Sequence, residues 1–374
     1  MRRDYEPVSR TSGDAPRLSV LMATYNCARF LGQAVESLLR QTFKDFELVI
    51  IDDASTDETP SLLRAFQQQD CRVRWERNEH NRRLGPSLNR GLRLCRAPLV
   101  ARADADDVFY PQRLEKQVSF MDAHPGIGVL SAVEEIMDEQ ERFLRYKPTL
   151  TEDDEIRFFH MFTHTMSHTA VMYRKELVTR VGGYDESFAT GPEDYDLFAR
   201  LFLVTRFANL PEALVRYRVR AGSDEQSPFP WRQRMKNQVA ARQLSHYLGR
   251  DVAETEASAL WNLYHGYSRM SSNAVKVAVG LTAELRLKAP NEGNARAVER
   301  LDKEMGEALA KQAVYQTYFD RPLSKQLLWM ALRLAPPQLC TRRMLVQALR
   351  FCTPSSVRST ARKPIGAVTG CLAC

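Results

Sequence analysis

No apolar run in this 374-residue chain approaches the roughly 20 residues a bilayer-crossing helix needs. The opening residues, Met1-Arg2-Arg3-Asp4, have no apolar core behind them, so no secretory signal is expected. Cysteine is present only as seven residues, an odd number at irregular spacing, which argues against a disulfide framework and for a reducing, cytoplasmic compartment. Cys371 and Cys374 form an isolated Cys-x-x-Cys, and without a second pair they are expected to lie in a disordered tail rather than in a metal or redox site. Tandem repetition of the kind that marks a solenoid is also missing.

What remains is the composition of a folded globular protein, 44% apolar and 26% charged. Its length suits one large domain and a smaller one. The net charge is +7, and it is unevenly placed. Residues 320–374 hold nine basic residues and one acid, a net of +8, which leaves 1–319 at −1. A basic tail suits an anionic partner, and an anionic membrane surface is the partner expected for 320–374. Two short basic, apolar segments there, Leu327 to Leu334 and Leu345 to Phe351, fit either a membrane surface or ordinary packing on the helical half. A nucleic-acid partner is not expected, because the tail lacks interleaved aromatics.

After a polar lead-in over 1–16, strand and helix alternate. Leu18–Met22, Phe46–Ile51, Val73–Trp75 and Leu99–Ala101 read as strands, and Phe30–Gln41, Thr59–Gln69 and Pro86–Cys95 as helices. The continuous apolar runs suit a parallel sheet covered on both faces. The class is therefore α/β with a doubly wound sheet, whose ligands bind outside the carboxyl ends of the strands. From about Gln226 strand patterns vanish, and 226–374 reads as a mainly α-helical C-terminal region.

Asp104, Asp106 and Asp107 follow the fourth strand in the run Ala103-Asp104-Ala105-Asp106-Asp107. Carboxylates crowded at a strand end repel one another. A divalent cation, Mn²⁺ or Mg²⁺, among them would offset that cost and bridge them to a phosphate. Asp52 and Asp53 end the second strand, on the same edge of the sheet.

Several blocks resemble family 2 glycosyltransferases with the GT-A fold, a Rossmann-like doubly wound mixed sheet. They are Ser19-Val20-Leu21-Met22-Ala23-Thr24-Tyr25-Asn26, the stretch Gln41 to Asp57 with Ile51-Asp52-Asp53-Ala54-Ser55, Asp104-Ala105-Asp106-Asp107 with Pro111 and Arg113, Gly182-Gly183-Tyr184-Asp185-Glu186, and Glu193-Asp194-Tyr195-Asp196. The resemblance spans about 17–223 and places the glycosyltransferase domain at 17–225. It implies an inverting enzyme that takes a sugar from a nucleotide diphosphate, UDP in the first place, to a saccharide or lipid-linked saccharide acceptor.

By the same resemblance, Asp106 and Asp104 hold the metal, and Asp104 also reaches the ribose. Thr24, Tyr25, Asn26 and Asp53 bind the nucleotide, with Gly85 and Asn89 on a donor-side loop and helix start. Asp194 is the general base, and Glu193 and His168 face the acceptor. Asp52 is read as a turn cap and Asp196 as a cap or ion pair. One departure stands out. Where many relatives carry a histidine after Tyr217-Arg218-Val219, this chain has Arg220. Arginine stays protonated and ligates no metal, but it can pair with a diphosphate. Two other readings of the chain compete: a non-catalytic nucleotide-sugar sensor, and a haloacid-dehalogenase-type phosphatase built on Asp104-Ala105-Asp106-Asp107-Val108. The phosphatase requires its motif on the first strand, and here three strand–helix units precede it. The sensor has no use for a base such as Asp194.

Overall fold

A computed structural model describes residues 15–188, 191–220, 230–265, 270–289, 295–316 and 321–334. Cys371, Cys374 and the second basic segment of the tail lie outside the described residues.

Four parallel strands come first: β1 (Leu18–Thr24), β2 (Phe46–Asp52), β3 (Val73–Arg77) and β4 (Leu99–Asp104). They stand in the order β3-β2-β1-β4. Every residue of β1 and β2 is buried, as continuous apolar runs between two helical layers require. The covering helices are α1 (Ala28–Leu39), α2 (Thr59–Gln69) and α3 (Leu84–Leu94). In α1, Leu31, Ala34, Val35, Leu38 and Leu39 form one buried stripe at helical spacing. Gly91 in α3 has a different task. A Cβ there would come within 2.3 Å of Leu21 and 3.1 Å of Ile51, so the missing side chain lets the helix lie directly on β1 and β2.

The second half of the sheet was not read from the sequence. It comprises β5 (Val108–Phe109), β6 (Ile127–Met137), β7 (Phe143–Tyr146), β8 (Met172–Arg174) and β9 (Arg206–Arg218). The full order is β3-β2-β1-β4-β8-β6-β9-β5, with β7 paired to β6. β8 runs antiparallel to β4 and β6, and β5 antiparallel to β9, so the sheet is mixed. β9 hides from pattern reading because Pro211 and Glu212 interrupt it. Ala132 pairs with Leu210 and Val133 with Ala213, which leaves those two residues in a bulge. The helices of this half are α4 (Arg113–Ala123), α5 (Asp153–His160), α6 (Lys175–Arg180) and α7 (Glu193–Leu201).

From residue 230 on, the elements among the described residues are helices: α8 (Pro230–Leu248), α9 (Glu254–His265), α10 (Ser272–Lys288), α11 (Ala295–Gln316) and α12 (Arg321–Leu334). Two compact units result, Met1–Ser258 with Leu287–Ala297, and Ala259–Arg286 with Val298–Cys374. In the first unit, α8 is tied to α7 by Arg242, which donates to Asp196 Oδ1 at 2.6 Å. In the second, Leu323, Leu327, Leu328 and Ala331 of α12 are buried, and Ser324 Oγ donates to the Ala313 carbonyl at 2.8 Å. That burial matches the packing reading for the first basic segment, although Trp329 remains exposed. No helix among the described residues is long and apolar enough to cross a membrane.

Candidate active site

Parallel register aligns the acidic edge. Thr24 stands opposite Asp52, Ala23 opposite Asp104, and Asp52 opposite Arg77. Chain turns at these strand ends carry the candidate donor residues. Thr24 is buried and its Oγ1 has no partner among the described residues. Tyr25 is 48% exposed and presents its ring beside it. Asn26 sits at φ 48° and accepts the Thr56 N–H at 2.8 Å on its side-chain oxygen. It thereby joins the turn after β1 to the turn after β2. Asp52 accepts the Ser55 N–H at 3.1 Å, a turn cap as read from the sequence. Asp53 is buried under the loop after β3, and its two oxygens accept from Asn78 Nδ2 (2.6 Å) and from the Arg82 and Arg83 N–H groups (2.8 Å each). Its carboxylate therefore shapes that loop.

The acidic cluster brings its own cations. Arg102, buried in β4, pairs with Asp104. Arg220 pairs with Asp106 at 2.8 Å. Arg218 donates its N–H to Asp107 Oδ1 at 2.9 Å and its Nε to the Asp106 carbonyl at 2.9 Å. Burial and then Asp104 push the Asp106 carboxyl above the usual range, and burial with Asp104 and Asp106 pushes Asp107 well above it. Beneath them Arg113, over the Phe109 ring, donates to the Arg102 carbonyl at 2.7 Å. Burial, with Arg102 beside it, pulls its guanidinium down to about 9.

The acceptor-side residues gather next to this cluster. Thr169 Oγ1 accepts the Asp104 N–H at 3.2 Å, which seats His168 beside the fourth strand. His168 Nε2 lies 2.9 Å from the Tyr184 hydroxyl, and its Nδ1 lies 3.8 Å from Glu193. Burial and the nearby Arg102 charge pull the imidazole down to about 3, so it is neutral and this contact is no ion pair. Glu193 opens α7 and is buried. Desolvation and Asp194 raise it to about 8, so it carries its proton at neutral pH. Asp194 is half-buried and accepts the Tyr195 N–H at 2.7 Å. Asp196 forms ion pairs with Arg200 (2.7 Å) and Arg242 (2.6 Å), within the cap-or-ion-pair reading.

Residues 19–182 match the model of glycosyl transferase family 2. The amylovoran biosynthesis glycosyltransferase AmsE of Erwinia amylovora is 35% identical over 209 residues, 55% of this chain and 77% of AmsE. The chain belongs to glycosyl transferase family 2. The O-antigen biosynthesis glycosyltransferase WbnJ of Escherichia coli is 29% identical over 218 residues, 57% of this chain and 84% of WbnJ. The fold is GT-A-like: the structure of S. aureus TarS 1-349 in complex with UDP-GlcNAc superposes with a TM-score of 0.54 at 18% identity, over 91% of this chain and 93% of that one. The protein is thus a glycosyltransferase, and its acidic motif ends the fourth strand, which sets the phosphatase reading aside.

Within this family 2 domain Gly85 and Asn89 lie in α3, Gly85 at the helix start expected of it. A Cβ on Gly85 would lie 3.7 Å from Glu193 Cβ, so the start of α3 packs beside Glu193. Asn89 accepts the Tyr184 N–H at 2.9 Å and donates to the Tyr184 carbonyl at 2.8 Å. Gly183, at φ +73°, lets that carboxamide approach: a Cβ there would sit 2.6 Å from Asn89 Oδ1. Missed in the sequence were the arginines under the motif. Arg102 was visible as a lone charge inside the apolar run Leu99-Val100-Ala101-Arg102-Ala103, whereas Arg218 needed the β5–β9 ladder, in which Val108 faces Arg216.

Among the described residues no three His, Cys, Asp or Glu side chains converge as a ready-made metal cage. A Mg²⁺-like ion needs fewer, since it keeps waters and takes diphosphate oxygens beside one or two carboxylates. Asp104 and Asp106 supply hard oxygens at the ligand edge, and each already attracts a cationic side chain. The donor set fits such an ion.

Proposed function

We propose that this family 2 enzyme is an inverting, metal-dependent glycosyltransferase of polysaccharide or surface-glycan synthesis, moving a sugar from a UDP-linked donor to a saccharide or lipid-linked acceptor. The observation that carries the reading is the adjacency of the Asp104–Asp106 edge to Glu193–Asp194: Thr169 accepts the Asp104 N–H, and its neighbour His168 lies 3.8 Å from Glu193. AmsE and WbnJ, named for amylovoran and O-antigen biosynthesis, support the product class. TarS is recorded with UDP-GlcNAc, which suits a UDP donor on this fold.

Thr24, Tyr25 and Asn26 line the nucleotide side, with Tyr25 offering a face to the base. Asp53 acts by fixing the loop of Arg82 and Arg83. Asp104 and Asp106 would hold Mn²⁺ or Mg²⁺, whose charge offsets the negative charge that develops on the departing diphosphate. Arg220, leaving Asp106, can turn its fork to the same phosphates. Asp194 removes the acceptor hydroxyl proton, and that oxygen attacks the anomeric carbon from the face opposite the leaving group, which inverts it. Protonated Glu193 donates a hydrogen bond that orients the acceptor, and neutral His168, fixed by the Tyr184 hydroxyl, faces the acceptor beside it. A membrane contact is retained in this reading only for the basic residues past Leu334.

Asp106→Ala should abolish transfer from a UDP-sugar, and chelation of the wild type should do the same, reversibly on adding Mn²⁺. An Asp106→Ala enzyme with full turnover in excess chelator would refute the metal assignment.

A further inference from the structure

A cavity of about 520 Å³ lies along the β3 side of the sheet, walled by Arg77, Arg82, Arg90 and Arg93, with Glu79 and His80 also in its lining. β3 is the edge strand, bonded on one side only to β2. Residues 72–96 hold eight arginines and two glutamates, a net of +6. With the tail at +8 and the whole chain at +7, everything else sums to −7. The near-neutral body therefore conceals one basic stretch of chain; Arg72 in it pairs with Asp70, and Arg74 and Arg96 pair with Glu47, while the other five arginines include the four of the cavity wall.

The guanidinium groups of this patch are positioned rather than loose. Arg90 Nη1 donates to the Arg77 carbonyl (2.8 Å) and to Asn78 Oδ1 (2.7 Å), and its Nη2 pairs with Glu76 at 2.5 Å. Arg77 Nη2 donates to the Ser55 carbonyl at 2.6 Å, and its Nε lies 3.3 Å from Asp52. Arg93, one turn beyond Arg90 on α3, is exposed, and Arg82 meets only Glu186 at 3.9 Å. Arg82 and Arg93 are the guanidinium groups of this lining least engaged by carboxylates, and such forks match carboxylate and phosphate oxygens in pairs. The lining contains no Phe, Tyr or Trp on which a base could stack, and its concave form is unlike a surface that lies on lipid.

The helix that carries Arg90 and Arg93 also touches the acceptor side. Gly85, in its first turn, rests on Glu193, and Arg93 follows about 12 Å further along the axis. An acceptor chain with its end at Asp194 can reach the cavity with an earlier sugar. We propose that this cavity binds the carboxylate or phosphate groups of an acidic acceptor glycan, at a sugar behind the one that is elongated. This inference rests on the transferase reading above.

Titration calorimetry on the full chain tests it, with trigalacturonate and a phosphorylated maltotriose as acidic probes and maltotriose as the neutral control. Binding of an acidic probe but not of maltotriose is expected, weakening as salt is raised. Arg93→Glu should weaken it about tenfold, equal to about 1.4 kcal/mol, and Arg82→Glu by a similar factor, with thermal stability unchanged for the exposed Arg93 variant. UDP binding measured in parallel separates the two readings. If UDP binds but no acidic probe does, or if Arg93→Glu and Arg82→Glu both leave probe binding unchanged, the cavity assignment is overturned and glycosyl transfer stands. Probe binding to a protein that binds no nucleotide or nucleotide-sugar defeats the acceptor role. Charge-sensitive binding only to phosphatidylglycerol vesicles or to an oligonucleotide overturns the glycan in favour of those partners.

Discussion

Replacing Arg220 with glutamine should raise the affinity of the donor-free protein for Mn²⁺. The Arg220–Asp106 pair spans 2.8 Å, with side chains 37% and 20% exposed. At an effective dielectric of about 20, two unit charges 4 Å apart attract by about 4 kcal/mol. Fully exposed pairs keep roughly 0–1 kcal/mol of such attraction after solvation and entropy are counted, and breaking a buried pair costs about 3–5. A half-open pair belongs between these, at about 1.5 kcal/mol. A cation that takes Asp106 must first displace Arg220, so its apparent binding is weakened by that amount, about tenfold. Arg220→Gln removes the competitor and should tighten Mn²⁺ binding by about tenfold, read from the electron paramagnetic resonance of free Mn²⁺. The same variant should bind UDP less well in calorimetry, because a cation near the diphosphate is gone. An unchanged Mn²⁺ affinity would refute the competition, and tighter UDP binding would refute the second role.

Asp194→Asn should leave UDP and Mn²⁺ binding intact and lower kcat by roughly 10²–10⁴-fold; weakened donor binding with turnover preserved would remove Asp194 from the role of base. Glu193 has a folded pKa raised to about 8 from 4.5, so its stabilising contribution is complete below about 4.5 and is lost as pH rises through 8. Transfer should accordingly fall above pH 8 in the wild type, and Glu193→Gln, fixed in the neutral form, should flatten that limb; a Gln variant inactive at every pH would make Glu193 the base instead. Asp196→Ala strands two arginines that retain access to water, so urea denaturation should show a loss of about 2 kcal/mol, and a change under 0.5 kcal/mol would show that the α7–α8 pairing is inert.

The first half of the sheet was legible because its strands are covered on both faces and read as unbroken apolar runs between amphipathic helices. The second half was not. β6 looks like any apolar stretch, and β9 carries Pro211 in its middle, a residue that marks a loop until the bulge around it is seen. At the site, Asp104 and Asp106 stood out as carboxylates crowded at a strand end, which need a counter-charge, whereas Asp194 was singled out by the family resemblance alone. The partners of the acidic run did not stand out, since Arg218 meets Asp107 across 111 positions of chain and no local pattern announces such a meeting. Asn89 is a further case: nothing local in the sequence announced that both ends of its carboxamide bond to the Tyr184 backbone, 95 positions away.

That 111-residue separation also bears on how the protein comes into being. Closing a loop of this length costs about 4 kcal/mol in chain entropy by the logarithmic rule. The half-open ion pair of Arg220 with Asp106 cannot offset this, so Arg218 and Arg220 do not find the acidic run by attraction. They are delivered when β9 zips along the eleven residues of β6. A nascent chain that has emerged only through β4 therefore carries its carboxylates without Arg218 or Arg220 to oppose them, and their repulsion works against early closure of that edge. The full set of contacts around the acidic run is acquired late, together with the last strand, so an incomplete chain has the motif without the partners that surround it.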